Sequence, residues 1–267
     1  MGSLDGHTAL VTGGGRGLGL SFAADLAANG ASVALMGRAK DTLDSACAAL
    51  TAAGHTATAH TGDVADPRDV ERVLDEVFAA HRRLNIVINN AGIADEADFL
   101  DVTLEGWNRV LTVNLTGPFL ITQRAARRMD RGGSVVNIAS IDAHGADGPY
   151  SSYVAAKAGL VGLTKAAATE LAPRGIRVNS VSPGWTLTQM AEESTTPEIL
   201  EAMKAHFRRV PIGRMITTEE VAAAVTFLAS PAASAITGVD LLVDGGTLAN
   251  LYILETLSPP PGRPGQP

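Results

Sequence analysis

A short apolar run, His7 to Val11, leads directly into TGGGRGLG (Thr12 to Gly19), and the helix-forming stretch SFAADLAANG follows. Strand, glycine turn and helix in that order form the context a phosphate-binding turn requires. Gly13 allows the tight turn, Gly17 lets backbone approach a pyrophosphate, and Gly19 lets helix and strand pack closely. Gly15, Arg16 and Leu18 complete the loop. The helix N-terminus presents free N–H groups and a positive dipole end to the phosphates. A glycine-rich string alone is often only a flexible loop. Placed straight after the first strand, it reads as a dinucleotide-binding turn.

Ser32 to Met36 is the second expected strand. In folds that bind NAD, an acidic residue at the end of this strand takes the ribose 2′-hydroxyl. Here Gly37 and then Arg38 hold that place, while Arg16 lies in the glycine turn. Two converging guanidinium groups suit a 2′-phosphate, because arginine binds phosphate through a bidentate, charge-assisted fork. NADP(H) is therefore favoured over NAD(H). The competing reading makes both residues ordinary surface arginines.

The alternation continues along the chain. Asp41 to Gly54 reads as a helix with Leu43, Cys47 and Leu50 inward, and Thr56 to His60 as a strand. Asp63, with Val64 beside it, follows as an acceptor for an adenine amino group or as a turn residue. Asp66-Pro67 opens a helix with a cap and then proline, and Val70, Val73, Leu74, Val77 and Phe78 form its apolar stripe. Asn85 to Ile88 is a strand leading into NNAG (Asn89 to Gly92). Thr103 to Met129 is a long helical region with a break at Gly117-Pro118, and its Asn114 must find partners if buried. Gly133 to Ala139, Ile176 to Val181 and Val239 to Val243 are the later strands. Between them lie helices at Ser151 to Leu171 and Pro197 to Phe207, and one opened by the capping box Thr217-x-x-Glu220.

Strands alternating with helices in this way predict an α/β fold, a Rossmann-like doubly wound parallel sheet of about seven strands flanked by helices in a single domain. Ligands in such sheets bind beyond the carboxyl ends of the strands, where the glycine turn, Asn89, Ser140 and Pro183 all fall. Residues 1–250 are expected to carry the cofactor and substrate sites. Residues 251–267 are a proline-rich extension, expected to be disordered after about 255.

Composition narrows the function. With 267 residues, 46% of them hydrophobic, the chain has an ample core, and a net charge of −7 argues against nucleic acid as a partner. The lone Cys47 forms no internal disulfide, and the six histidines are scattered, so no metal is expected. Val221 to Val239 carries no charge but is broken by Pro231 and Gly238, which argues against a membrane span. MGSLDG has neither a basic start nor an apolar run, so a cytoplasmic location is expected.

The stretch NIASIDAHGADGPYSSYVAAK (Asn137 to Lys157) holds the chemistry. Tyr153 and Lys157 lie one helical turn apart on one face, and Ser140 ends the apolar run before them. A phenol is a poor acid or base at neutral pH, but a neighbouring cation favours its phenolate. Together the three suit proton transfer to or from an alcohol oxygen. The plainer reading is that Tyr153 packs, Lys157 is solvated and Ser140 caps a turn.

From about Asp5 to Gly246 the chain resembles the short-chain dehydrogenase/reductase family. The resemblance rests on TGxxxGxG at Thr12 to Gly19, NNAG at Asn89 to Gly92, Asn114 in VNLTG, Ser140, YxxxK at Tyr153 to Lys157, and Pro183-Gly184. It implies a catalytic tetrad. Tyr153 would be the general acid or base, Ser140 would polarise the substrate oxygen, Lys157 would lower the tyrosine pKa and bind the nicotinamide ribose, and Asn114 would place a water. It also implies cofactor contacts from Asn90, Ala91, Gly92, Pro183, Gly184, Thr186 and Thr188. Thr186 departs from the Ile or Val usual in the family. Asp142, His144, Trp185 and Gln189 lie where the family shapes its substrate pocket; their polarity points to an oxygenated small molecule, the alternative being that the Asp142 and His144 side chains face solvent. The implied activity is an NADP(H)-dependent ketoreductase or secondary-alcohol dehydrogenase, in a homotetramer or homodimer. The alternatives are an NAD-dependent alcohol dehydrogenase and, more remotely, a catalytically silent cofactor-binding regulatory protein.

Overall fold

Seven strands, all parallel, make one sheet in the computed structural model, which describes residues 2–146, 148–188, 196–207 and 209–250. In chain order the elements begin with β1 (Thr8–Thr12), α1 (Gly17–Ala28), β2 (Ser32–Gly37), α2 (Lys40–Ala52), β3 (Ala57–Thr61), α3 (Pro67–His81) and β4 (Ile86–Asn89). A long interrupted helix follows, made of α4 (Leu104–Leu111), a π-helical turn (Thr112–Thr116) and α5 (Gly117–Arg128). Then come β5 (Gly133–Ile138), α6 (Ser151–Leu171), β6 (Ile176–Pro183), α7 (Pro197–His206), α8 (Thr218–Ala229) and β7 (Asp240–Val243).

The sheet order is β3-β2-β1-β4-β5-β6-β7. It reverses direction between β1 and β4, which opens a crevice beyond their carboxyl ends. β1 and β4 are buried along their whole length, as strands covered on both faces must be. Successive residues serve opposite layers. Ala9 and Val11 join a core with Phe22 and Leu26 of α1 and Val221 and Val225 of α8, whereas Leu10 joins Val70, Val73 and Leu74 of α3 and Ile121 of α5.

Local signals account for most element boundaries. Asp66 caps α3 by accepting the Arg68 N–H at 2.8 Å, with Pro67 next. Thr217 and Glu220 form the reciprocal capping box of α8. Three details differ from expectation. The long helix is interrupted by a π-helical turn ending at Thr116, and Pro118 sits in the first turn of α5, where its missing N–H costs nothing. In α2, Ala46 rather than Cys47 takes the fully buried place between Leu43 and Leu50. β6 runs on to Pro183, two residues past the apolar run, because Ser182 and Pro183 pair with Leu242 and Val243. The expected proline-rich extension lies outside the described residues. Among the described residues no helix is long and apolar enough to cross a membrane.

Candidate active site

The glycine turn sits at the mouth of the crevice. Gly13 and Gly17 have φ of 65° and 54°, values that favour glycine. A Cβ on Gly19 would fall 2.1 Å from the Gly13 carbonyl oxygen, so helix and turn meet in a space that only hydrogen fills. The α1 N-terminus has no side-chain cap and no acidic residue in its first turn. Its N–H groups and dipole are therefore open to an anion.

The turn is braced from β4. Asn90 Nδ2 donates to the Thr12 carbonyl at 2.9 Å, and the N–H groups of Asn90 and Ala91 both donate to Thr12 Oγ1 at 3.0 Å. The Asn90 side chain thus holds the cradle together. Thr12, the first letter of the glycine motif, is a bracing residue that motif spacing alone does not reveal.

Arg16 and Arg38 are exposed. Gly15 and Gly37, their preceding neighbours, both point at one side chain: a Cβ on either would lie 3.4 Å from Leu43 Cδ2. Leu43 therefore brings the two arginine-bearing segments side by side. Asp63 accepts the Ala65 N–H at 2.9 Å, so one of its oxygens serves the turn. Val64 is buried against Gly117 at the start of α5.

Asn114 is completely buried within the π-helical turn. Its amide donates to the Ile93 carbonyl at 2.8 Å and accepts the Ile93 N–H at 2.9 Å. The side chain is consumed in pinning the segment after NNAG. Gly92 lies between Asn114 and Lys157, since a Cβ there would be 3.4 Å from Asn114 Oδ1 and 3.7 Å from Lys157 Nζ. Below, a buried ladder links helices to strand ends. Asn89 donates to Thr122 and Asn137 at 3.0 and 2.8 Å, and Asn137 donates to Thr164 at 2.9 Å.

Lys157 Nζ donates to the Ile138 carbonyl at 2.7 Å and lies 5.4 Å from the centre of the Tyr153 ring. Burial lowers its pKa from 10.5 to about 8, and the Asp142 carboxylate opposes that fall. Ser140 caps a short 3₁₀ turn, Ile141–Ala143. Its hydroxyl accepts the Asp142 N–H at 3.1 Å and reaches Asp142 Oδ2 at 3.4 Å. Serine, tyrosine and lysine are thus delivered by β5 and α6 to one end of the sheet.

The four residues expected around the substrate have separate fates. Asp142 stays beside Ser140. His144 turns away, its Nε2 lying 2.7 Å from Asp240 Oδ2 on β7. Trp185 packs edge-on against Phe207, with ring centres 5.4 Å apart. Gln189 lies outside the described residues. Pro183-Gly184 abuts the turn after β7, for a Cβ on Gly184 would be 2.8 Å from Asp244 Cα. Thr186 Oγ1 donates to the Gly184 carbonyl at 2.9 Å, and Thr186 bridges to Ile216, with Thr188 two residues further along. An apolar recess lined by Phe99, Pro149, Val154 and Ala155 opens on the face of α6 opposite Tyr153 and Lys157. No group of three His, Cys, Asp or Glu side chains able to hold a metal is present among the described residues.

Comparison with known proteins gives a consistent set of matches. A family model described as enoyl-(acyl carrier protein) reductase matches residues 13–247. D-threitol dehydrogenase of Mycolicibacterium smegmatis is 38% identical over 91% of this chain and 93% of its own length. The 3-oxoacyl-[acyl-carrier-protein] reductase of Synechocystis is 37% identical over 92% and 98% respectively. The crystal structure of a short-chain type dehydrogenase/reductase from Mycobacterium marinum superposes with a TM-score of 0.86 at 37% identity, covering 92% of this chain and 97% of that one.

Proposed function

The chain belongs to the short-chain dehydrogenase/reductase family and is an oxidoreductase acting on alcohols or ketones, and from that premise we propose that it is an NADP(H)-dependent ketoreductase or secondary-alcohol dehydrogenase. One observation carries the reading: a buried ammonium stands one helical turn from a phenol, with a serine hydroxyl delivered to the same end of the sheet. The glycine cradle and the uncapped α1 N-terminus fit a dinucleotide pyrophosphate. The bound nicotinamide supplies or accepts the hydride.

In reduction, Tyr153 donates its phenolic proton to the substrate oxygen as the carbonyl carbon gains hydride. In oxidation, it takes the proton from the hydroxyl. Ser140 donates a hydrogen bond to the same oxygen. The Lys157 ammonium favours the phenolate and so brings the tyrosine toward the working pH. Its remaining N–H groups, beyond the one given to Ile138, would hold the cofactor ribose. Asn114 holds the segment after NNAG through Ile93 and, as the family resemblance implies, would place the water that extends the proton path.

NADP(H) is the preferred cofactor. Arg16 and Arg38 are exposed, the glycines before them both abut Leu43, and glycine stands where a carboxylate would repel a 2′-phosphate. Asp142 beside Ser140 suits a substrate with a hydroxyl next to the reacting carbon, a polyol or hydroxy ketone. The name of the threitol-oxidising relative supports that class. NADPH consumption with a four-carbon ketose, an unsubstituted four-carbon ketone and an acetoacetyl thioester tests the reading. The ketose should be turned over fastest, and faster with NADPH than with NADH. Fastest turnover of the thioester overturns the substrate class. No turnover of any substrate with either cofactor overturns the enzyme reading.

A further inference from the structure

The turn that carries Ser140 and Asp142 is tied to a distant part of the chain. His144 Nε2 lies 2.7 Å from Asp240 Oδ2 across 96 residues of sequence. Asp240 opens β7, the edge strand, yet its side chain is only 8% exposed. Two hydroxyls of β6 already hold it. Ser180 Oγ donates to Oδ1 at 2.6 Å, and Ser182 Oγ lies 3.0 and 2.9 Å from the two oxygens. Ser180 and Ser182 alternate along the strand, so both face the carboxylate. The carboxylate is an anchor fixed from the sheet side, and the imidazole reaches it from the active-site turn.

On that turn, His144 is continuous with Ser140. The Ala143 N–H donates to the Ser140 carbonyl and the His144 N–H to the Ile141 carbonyl, both at 2.9 Å. A single 3₁₀ turn therefore transmits the position of the imidazole to the serine.

Resting on the reading that Ser140 holds the substrate oxygen, we propose that His144 and Asp240 are positioning residues that fix the Ser140–Asp142 turn from the sheet edge. Ser180 and Ser182 hold Asp240 without His144, so the pair serves to tie the turn to the sheet rather than to hold β7. A displacement of about 1 Å at a reacting group lowers turnover on the order of 10–100-fold.

The test compares His144→Ala, His144→Gln and Ser140→Ala in the full chain, reading kcat, KM, thermal midpoint and NADPH affinity by nicotinamide fluorescence. His144→Ala should lower kcat on the order of 10–100-fold and leave NADPH affinity unchanged. His144→Gln, whose amide still reaches the carboxylate as a donor, should recover most of that loss. Ser140→Ala should be inactive while still binding NADPH. If Ser140→Ala is inactive but His144→Ala keeps the parent kcat, the positioning role is wrong and the site reading stands. It is equally wrong if His144→Gln recovers nothing, or if kcat falls only in step with NADPH affinity. Full activity of Ser140→Ala overturns the site reading itself.

Discussion

Lys157 keeps an ammonium in a place with 4% exposure, where leaving water disfavours its charge. The carbonyl of Ile138 and the charge of Asp142 offset part of that cost. The folded-state pKa, about 8, lies below the ordinary 10.5, so between those values the unfolded chain binds more protons. This group's contribution to stability therefore rises with pH across that window, and below about pH 8 the whole penalty applies. Lys157→Met should stabilise the cofactor-free protein at pH 7 by about 1–2 kcal/mol, after allowing for the lost hydrogen bond. The gain should shrink toward pH 10. Thermal scans of both proteins at several pH values check this, and a gain independent of pH contradicts it. Asn114 offers a second case at this scale. Asn114→Leu strands the N–H and carbonyl of Ile93, and denaturant titration should show a loss of about 2–4 kcal/mol. That Asn114 needed buried partners was legible in the sequence. Their identity was not, because the partner lies 21 residues away and is reached only through the π-helical turn.

Among elements, the proposed preference for NADP(H) rests on the glycine turn and the end of β2. Leu43, on α2, is the common neighbour of Gly15 and Gly37, the residues that precede Arg16 and Arg38. Arg38→Asp should weaken NADPH binding about 10–100-fold, the worth of charge-assisted hydrogen bonds to one phosphate, and leave NADH binding nearly unchanged. Fluorescence titration with each cofactor reads this directly, and equal losses for both contradict a phosphate clamp. The turn itself was legible because strand, glycines and helix follow one another locally. The π-helical turn was not, because Gly117-Pro118 looks like a break whether the helix stops or merely changes its hydrogen-bond period. His144 shows the same limit more sharply. In sequence it stands two residues from Asp142, and only the fold brings Asp240 within 2.7 Å of it.

For the whole molecule, the doubly wound sheet follows from apolar runs such as ALV and IVI, which serve both layers at once. Strand order places the crevice between β1 and β4, and NNAG there touches the glycine turn on one side and Asn114 and Lys157 on the other. A ligand that binds only the folded chain stabilises it by mass action, about 2.7 kcal/mol at a hundredfold excess over its dissociation constant. For a chain of this size NADPH at that excess should raise the thermal midpoint by roughly 5–10 °C. NADH at the same concentration should raise it less. The most direct test of the whole chemical assignment is Tyr153→Phe, measured for turnover and for NADPH fluorescence in one preparation. Turnover should fall below detection while NADPH binds as tightly as to the parent protein. A Tyr153→Phe protein that still reduces ketone at a rate near the parent's would remove the phenol from the reaction.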